Sequence, residues 1–81
     1  MSKIRVLSGL DIVKILKLFG FDIQSQKGSH IKLKRITDQG IKQTLIIPNH
    51  NEIDTGTLKA IYRQALKYIP EEKLFQHFYS N

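Results

Sequence analysis

The stretch Gln26-Lys27-Gly28-Ser29-His30-Ile31-Lys32-Leu33-Lys34 decides the fold of this chain. From His30 onward the residues alternate, with Ile31 and Leu33 on one side and His30, Lys32 and Lys34 on the other. A period of two is that of a strand with one covered face. Lys27-Gly28-Ser29 is a tight turn, because a short hairpin loop needs a residue that accepts φ > 0 and glycine does so without strain. Upstream, Phe21, Ile23 and Ser25 alternate with Asp22, Gln24 and Gln26, so a second strand runs into the turn. Downstream, Asp38-Gln39-Gly40 marks another turn and Ile41 to Ile47 a third strand. Pro48, which has no N–H to give a ladder, ends it. The inward side of that strand stays open, since Leu45, Ile46 and Ile47 are all apolar. Three short strands joined by tight turns form an antiparallel meander with one covered face.

Helical periodicity flanks the meander on both sides. Ser8 and Asp11 have the spacing of a capping box, and Ile12, Val13, Ile15, Leu16 and Phe19 share one helical face. Gly20 closes that helix. Asp54 or Thr55 caps a second helix whose apolar face is Leu58, Ile61, Tyr62, Ala65, Leu66 and Ile69. Lys59, Arg63 and Lys67 stand four apart on its opposite face. Pro70 breaks it and opens a short terminal helix, Glu71 to Tyr79, with acids in its first turn. The expected order is α-β-β-β-α followed by the short helix. This is an α+β, two-layer domain with its helices on one face of a three-stranded antiparallel sheet. Residues 1–81 read as one domain, with a core over 8–69 and a terminal helix over 70–79.

Composition narrows the function. Eighty-one residues allow one small core. No cysteine is present, which excludes a disulfide framework and a thiolate metal site. The apolar runs are too short to span a bilayer and the first residues lack a signal-peptide h-region, so a cytoplasmic protein with no membrane role is expected. Thirteen Lys and Arg against seven Asp and Glu give +6. Glu71, Glu72 and Lys73 make residues 70–81 sum to −1, so residues 1–69 carry +7. Such an excess favours a polyanion partner, nucleic acid or an acidic protein, against the plainer reading that it serves solubility.

Against that background His30 stands out. Imidazole titrates near neutral pH, and Lys27, Lys32 and Lys34 put fixed cations beside it. Cleavage of RNA through its own 2′-hydroxyl needs a base for that proton and positive charge for the phosphorane. The plainer reading is a solvated histidine at a strand end and a glycine, Gly28, that only turns the chain. His50, in the loop after Pro48, is a candidate second proton-transfer group or an RNA contact, or else a loop residue bonded to a nearby carbonyl. His77 reads as surface, and Tyr62 and Tyr68 as core. His30, His50 and Glu52 do not have metal-ligand spacing, so no metal and no cofactor are expected. The Lys59, Arg63, Lys67 stripe could follow phosphates or dock an acidic partner, or be only the wet face of its helix.

The motifs, taken in order, resemble one family. Ser8-Gly9 opens an Ile- and Leu-rich helix that ends Leu18-Phe19-Gly20-Phe21. Gln26-Lys27-Gly28-Ser29-His30 follows, then Pro48, His50, Glu52-Ile53, Gly56-Thr57-Leu58 and Ile61-Tyr62-Arg63-Gln64-Ala65. Over residues 8 to 69 the chain resembles the HicA (YcfA-like) toxins of HicAB toxin–antitoxin systems. It departs from them at Leu33, where members often carry an aromatic residue. The resemblance implies a fold like the double-stranded-RNA-binding domain, a ribonuclease (mRNA interferase) that stops growth, and neutralisation by a HicB-type antitoxin. It implies that His30 is catalytic and that Gly28 shapes its turn. Lys27, Gly28, Ser29, Lys32, Lys34, His50, Lys59 and Arg63 are the expected substrate contacts. The alternative from another class is a non-catalytic RNA-binding module using the same basic face. A third is a small protein-docking domain.

Overall fold

A computed structural model of the chain describes residues 2–81. In chain order the elements are β1 (Lys3–Ile4), α1 (Gly9–Lys17), β2 (Asp22–Lys27), β3 (His30–Ile36), β4 (Lys42–Pro48), α2 (Thr55–Ala65), α3 (Glu71–Phe78) and β5 (Tyr79–Ser80). β2, β3 and β4 form an antiparallel sheet with β3 in the middle. β1 and β5 pair as a separate two-stranded ribbon. The central order is α-β-β-β-α with a further helix, the double-stranded-RNA-binding-domain-like α+β arrangement that the resemblance implies.

Each helix begins where its cap residue places it. Ser8 accepts from the Asp11 N–H at 3.0 Å and the Asp11 carboxylate accepts from the Ser8 N–H at 2.9 Å, a complete capping box. Those bonds hold the Asp11 carboxyl below the usual carboxylate range, the backbone bond with Ser8 contributing most. Asp54 caps α2, accepting from the Thr57 N–H at 3.0 Å and the Thr57 hydroxyl at 2.8 Å. α2 closes at Ala65 with Leu66 as C-cap, so Lys67 of the basic stripe falls past the helix end.

The core lies between the helices and one face of the sheet. Ile31 and Leu33 of β3, Leu45 and Ile47 of β4, Ile12 and Leu16 of α1, and Leu58 and Ala65 of α2 are all buried. The register settles the ambiguous third strand: Ile31 faces Ile47 and Leu33 faces Leu45, while Ile46 pairs with Lys32 and is 52% exposed. Directly opposed residues share a face, so Ile46 belongs with the lysines.

The second strand departs from strict alternation. A bulge between Ile23 and Ser25 puts two residues of β2 against one of β3. Ile23 pairs with Leu33 and Gln26 with Ile31, so those two take the helix side. Asp22, Ser25 and Lys27 pair with Lys34, Lys32 and His30 and take the other side. Ser25 therefore does not share a face with Ile23, because one extra residue reverses every side chain beyond it. β2 is also an edge strand, and all six of its residues are exposed.

The terminal segment is packed into the molecule. Leu74 and Phe78 of α3 are fully buried, and the Tyr62 ring meets Phe78 at 5.2 Å and Tyr79 at 5.3 Å. Tyr62 donates its hydroxyl to Glu71 at 3.0 Å, and burial, with that carboxylate next, raises its pKa to about 12. α3 stops at Phe78 because Tyr79 is extended and pairs with Ile4.

A histidine-lined groove at the sheet edge

His30 opens the central strand and is paired on both sides, with Lys27 across the turn and with Pro48 on β4. The turn between Lys27 and His30 has two residues. Gly28 has φ +60 and Ser29 a negative φ, as in a type II′ hairpin, whose twist matches the strands it joins. Nothing lies within 4 Å of where a Gly28 side chain would begin, so glycine is there for its backbone conformation.

The register gathers the expected basic residues. Lys27, His30, Lys32 and Lys34 all lie on the sheet face that the helices leave uncovered. Lys27, Gly28, Ser29 and His30 are exposed, and Lys32 and Lys34 half-buried. Asp22, paired with Lys34, is the single acid on that face of β2 and β3.

β4 is the edge strand on the other side of β3, and a groove of about 570 Å³ runs along it. One wall is Thr44 to Pro48 of β4. The other is Thr57, Ala60, Ile61 and Gln64 of α2, with His30 and His50 completing the lining. Ladder bonds at the two ends of the β3–β4 pair fix which backbone groups point into it. Asn49 N–H donates to the Ser29 carbonyl, and Thr37 N–H to the Ile41 carbonyl, so odd-numbered residues of β4 bond to β3. Thr44 and Ile46 therefore turn their N–H and C=O groups to the open edge. Pro48 has the same parity, so the N–H it lacks belongs to no ladder bond.

The loop that carries His50 is tied at several points. Asn49 N–H donates to Ser29 at 2.6 Å, Gly9 N–H to the His50 carbonyl at 2.9 Å, and Ile53 N–H to Leu7 at 2.9 Å. Gly9 lets the start of α1 approach this closely, because a Cβ there would collide with the Pro48 carbonyl oxygen. Asp54 follows, its carboxyl held below the usual range chiefly by the Thr57 N–H and then the Thr57 hydroxyl. A positive charge on His50 would lower the same carboxyl as the smallest of these effects.

His30 and His50, twenty positions apart in the chain, thus line one groove. Lys59 and Arg63 are exposed on α2 but do not line it. Thr57 and Gln64 do, and sequence reasoning passed them over. The signal was present: residues 57, 60 and 64 recur at helical spacing as small or polar positions beside the apolar stripe that holds Ile61. Among the described residues no three His, Asp or Glu side chains gather as a metal-holding group. No helix among them is long and apolar enough to cross a membrane.

Fold and groove together define a class: a small basic α+β domain of the double-stranded-RNA-binding-domain type, with two histidines lining a groove along its sheet edge. The family described as "HicA toxin of bacterial toxin-antitoxin" matches residues 9–66, well over half of the chain. The chain belongs to the HicA toxin family and is a toxin of a toxin–antitoxin pair. No curated protein and no solved structure matches it individually.

Proposed function

We propose that this toxin is an endoribonuclease that cleaves mRNA in the cytoplasm, with His30 as proton-transfer group, and that a HicB-type antitoxin neutralises it. The observation that carries this reading is the placement of His30 on the central strand, exposed, between three lysines and a groove. His30 takes the proton of an RNA 2′-hydroxyl. The freed oxygen attacks the adjacent phosphorus, and the bond to the 5′-oxygen breaks. Lys27, Lys32 and Lys34 supply cations for the charge that builds on the phosphorane. Gly28 and Ser29 leave the turn open to the RNA backbone, and His50 contacts the substrate in the groove. Lys59 and Arg63, outside the groove, hold flanking phosphates by charge, each adding roughly 0.7–0.9 to the slope of log affinity against log salt.

End-group analysis of the fragments tests the chemistry. The proposal expects a 2′,3′-cyclic phosphate on one fragment and a 5′-hydroxyl on the other. A 5′-phosphate at the cut end rules out attack by the 2′-hydroxyl.

A further inference from the structure

We infer that His50 is the general acid of the reaction, donating a proton to the departing 5′-oxygen. The inference rests on the ribonuclease reading of the His30 groove and assigns its missing second group. In an in-line displacement the attacking and leaving oxygens lie on opposite sides of phosphorus. One imidazole at the 2′-oxygen therefore cannot also reach the 5′-oxygen in the same step, and an alkoxide leaves poorly without a proton.

The groove supplies one further group suited to the task. Of its eleven lining residues, His30 and His50 are the only two with side chains that exchange protons near neutral pH. The others are aliphatic residues, proline, threonines and a glutamine. The two imidazoles arrive on different elements, His30 on β3 and His50 on the loop between β4 and α2. Backbone bonds at Asn49, His50 and Ile53 fix that loop against the β2–β3 turn and the start of α1. His50 thus stands on a braced segment, as proton transfer at a defined distance requires.

The step balances. His30 removes the 2′-proton as the bond from the 2′-oxygen to phosphorus forms. The bond from phosphorus to the 5′-oxygen breaks, and the proton of His50 passes to that oxygen. The products are a cyclic phosphate, a 5′-hydroxyl, a protonated His30 and a neutral His50. Exchange with water restores both histidines.

An RNA with sulfur in place of the bridging 5′-oxygen tests the assignment, because a thiolate leaves without being protonated. Full-length wild type, His30→Gln and His50→Gln are compared on the oxygen and sulfur substrates. His50→Gln keeps the backbone carbonyl that Gly9 bonds. It is expected to slow cleavage of the oxygen substrate roughly 100-fold or more, and to cleave the sulfur substrate within about tenfold of wild type. His30→Gln is expected to lose both. Equal loss by His50→Gln on the two substrates, or no loss on either, overturns the general-acid role while His30 stands. Undiminished cleavage by His30→Gln, or a wild type that cuts neither RNA, overturns the ribonuclease reading itself.

Discussion

The central strand carries a basic side chain near each end, and the fold treats them in opposite ways. His30 opens β3 on the uncovered face, exposed and beside a groove. Arg35, five residues on, lies on the helix side and is half-buried. Its guanidinium donates to the Phe19 carbonyl at 2.9 Å, the Tyr68 carbonyl at 2.8 Å and the Gln43 side-chain oxygen at 2.8 Å. It also rests over the Phe21 ring at 4.8 Å. The two carbonyls lie just beyond the C-terminal ends of α1 and α2, where backbone acceptors lack helical partners and the helix dipoles are negative. One planar cation thus clamps both helices to the sheet. A basic residue with every guanidinium nitrogen bonded to the protein holds the fold together. One left exposed beside a cavity is free to do chemistry.

Loss of the clamp is the largest stability effect expected. Arg35→Met keeps most of the apolar stem but strands two helix-end carbonyls, and should cost about 2–4 kcal/mol in denaturant unfolding. Cleavage per folded molecule should change little. A Met variant as stable as wild type would break the contrast. Gly28→Ala, next to His30, is expected to cost about 1 kcal/mol, because the left-handed backbone strains a Cβ that otherwise meets nothing. Its effect on cleavage should exceed what so small a loss explains, since it disturbs the turn that aims His30.

The smallest effect is the acid response of the helix caps. Asp11 and Asp54 have lowered folded-state values, so their stabilisation is present above the unfolded value of 3.8 and fades as pH falls through the lower folded values. Thermal stability should therefore fall below about pH 4 in wild type, and Asp54→Asn should flatten part of that slope. The opposite sign holds for Tyr62, whose raised value makes its contribution fade between pH 10 and about 12.

Local rules carried most of the fold from the sequence. The turn at Gly28, the alternation of β3 and both caps follow from residues a few positions apart, and each stands where those residues put it. What the sequence hid was of longer range. The bulge at Ile23 to Ser25 has no marker residue, so alternation read straight through it. The β1–β5 ribbon joins two-residue strands from opposite ends of the chain, too short for any period. The clamp at Arg35 was hidden too, because its partners at Phe19 and Tyr68 are 16 and 33 positions away. The basic cluster was legible in the same way as β3. The meeting of His30 with His50 was not, since it depends on the pairing of Pro48 and on how closely Gly9 approaches.

His30→Gln, with RNA cleavage and thermal unfolding measured on the same preparation, tests the central claim most directly. The account predicts that cleavage falls by roughly 100-fold or more while the unfolding temperature stays within the range of an exposed substitution. Cleavage at the wild-type rate, or a loss of activity matched by a loss of stability, would contradict it.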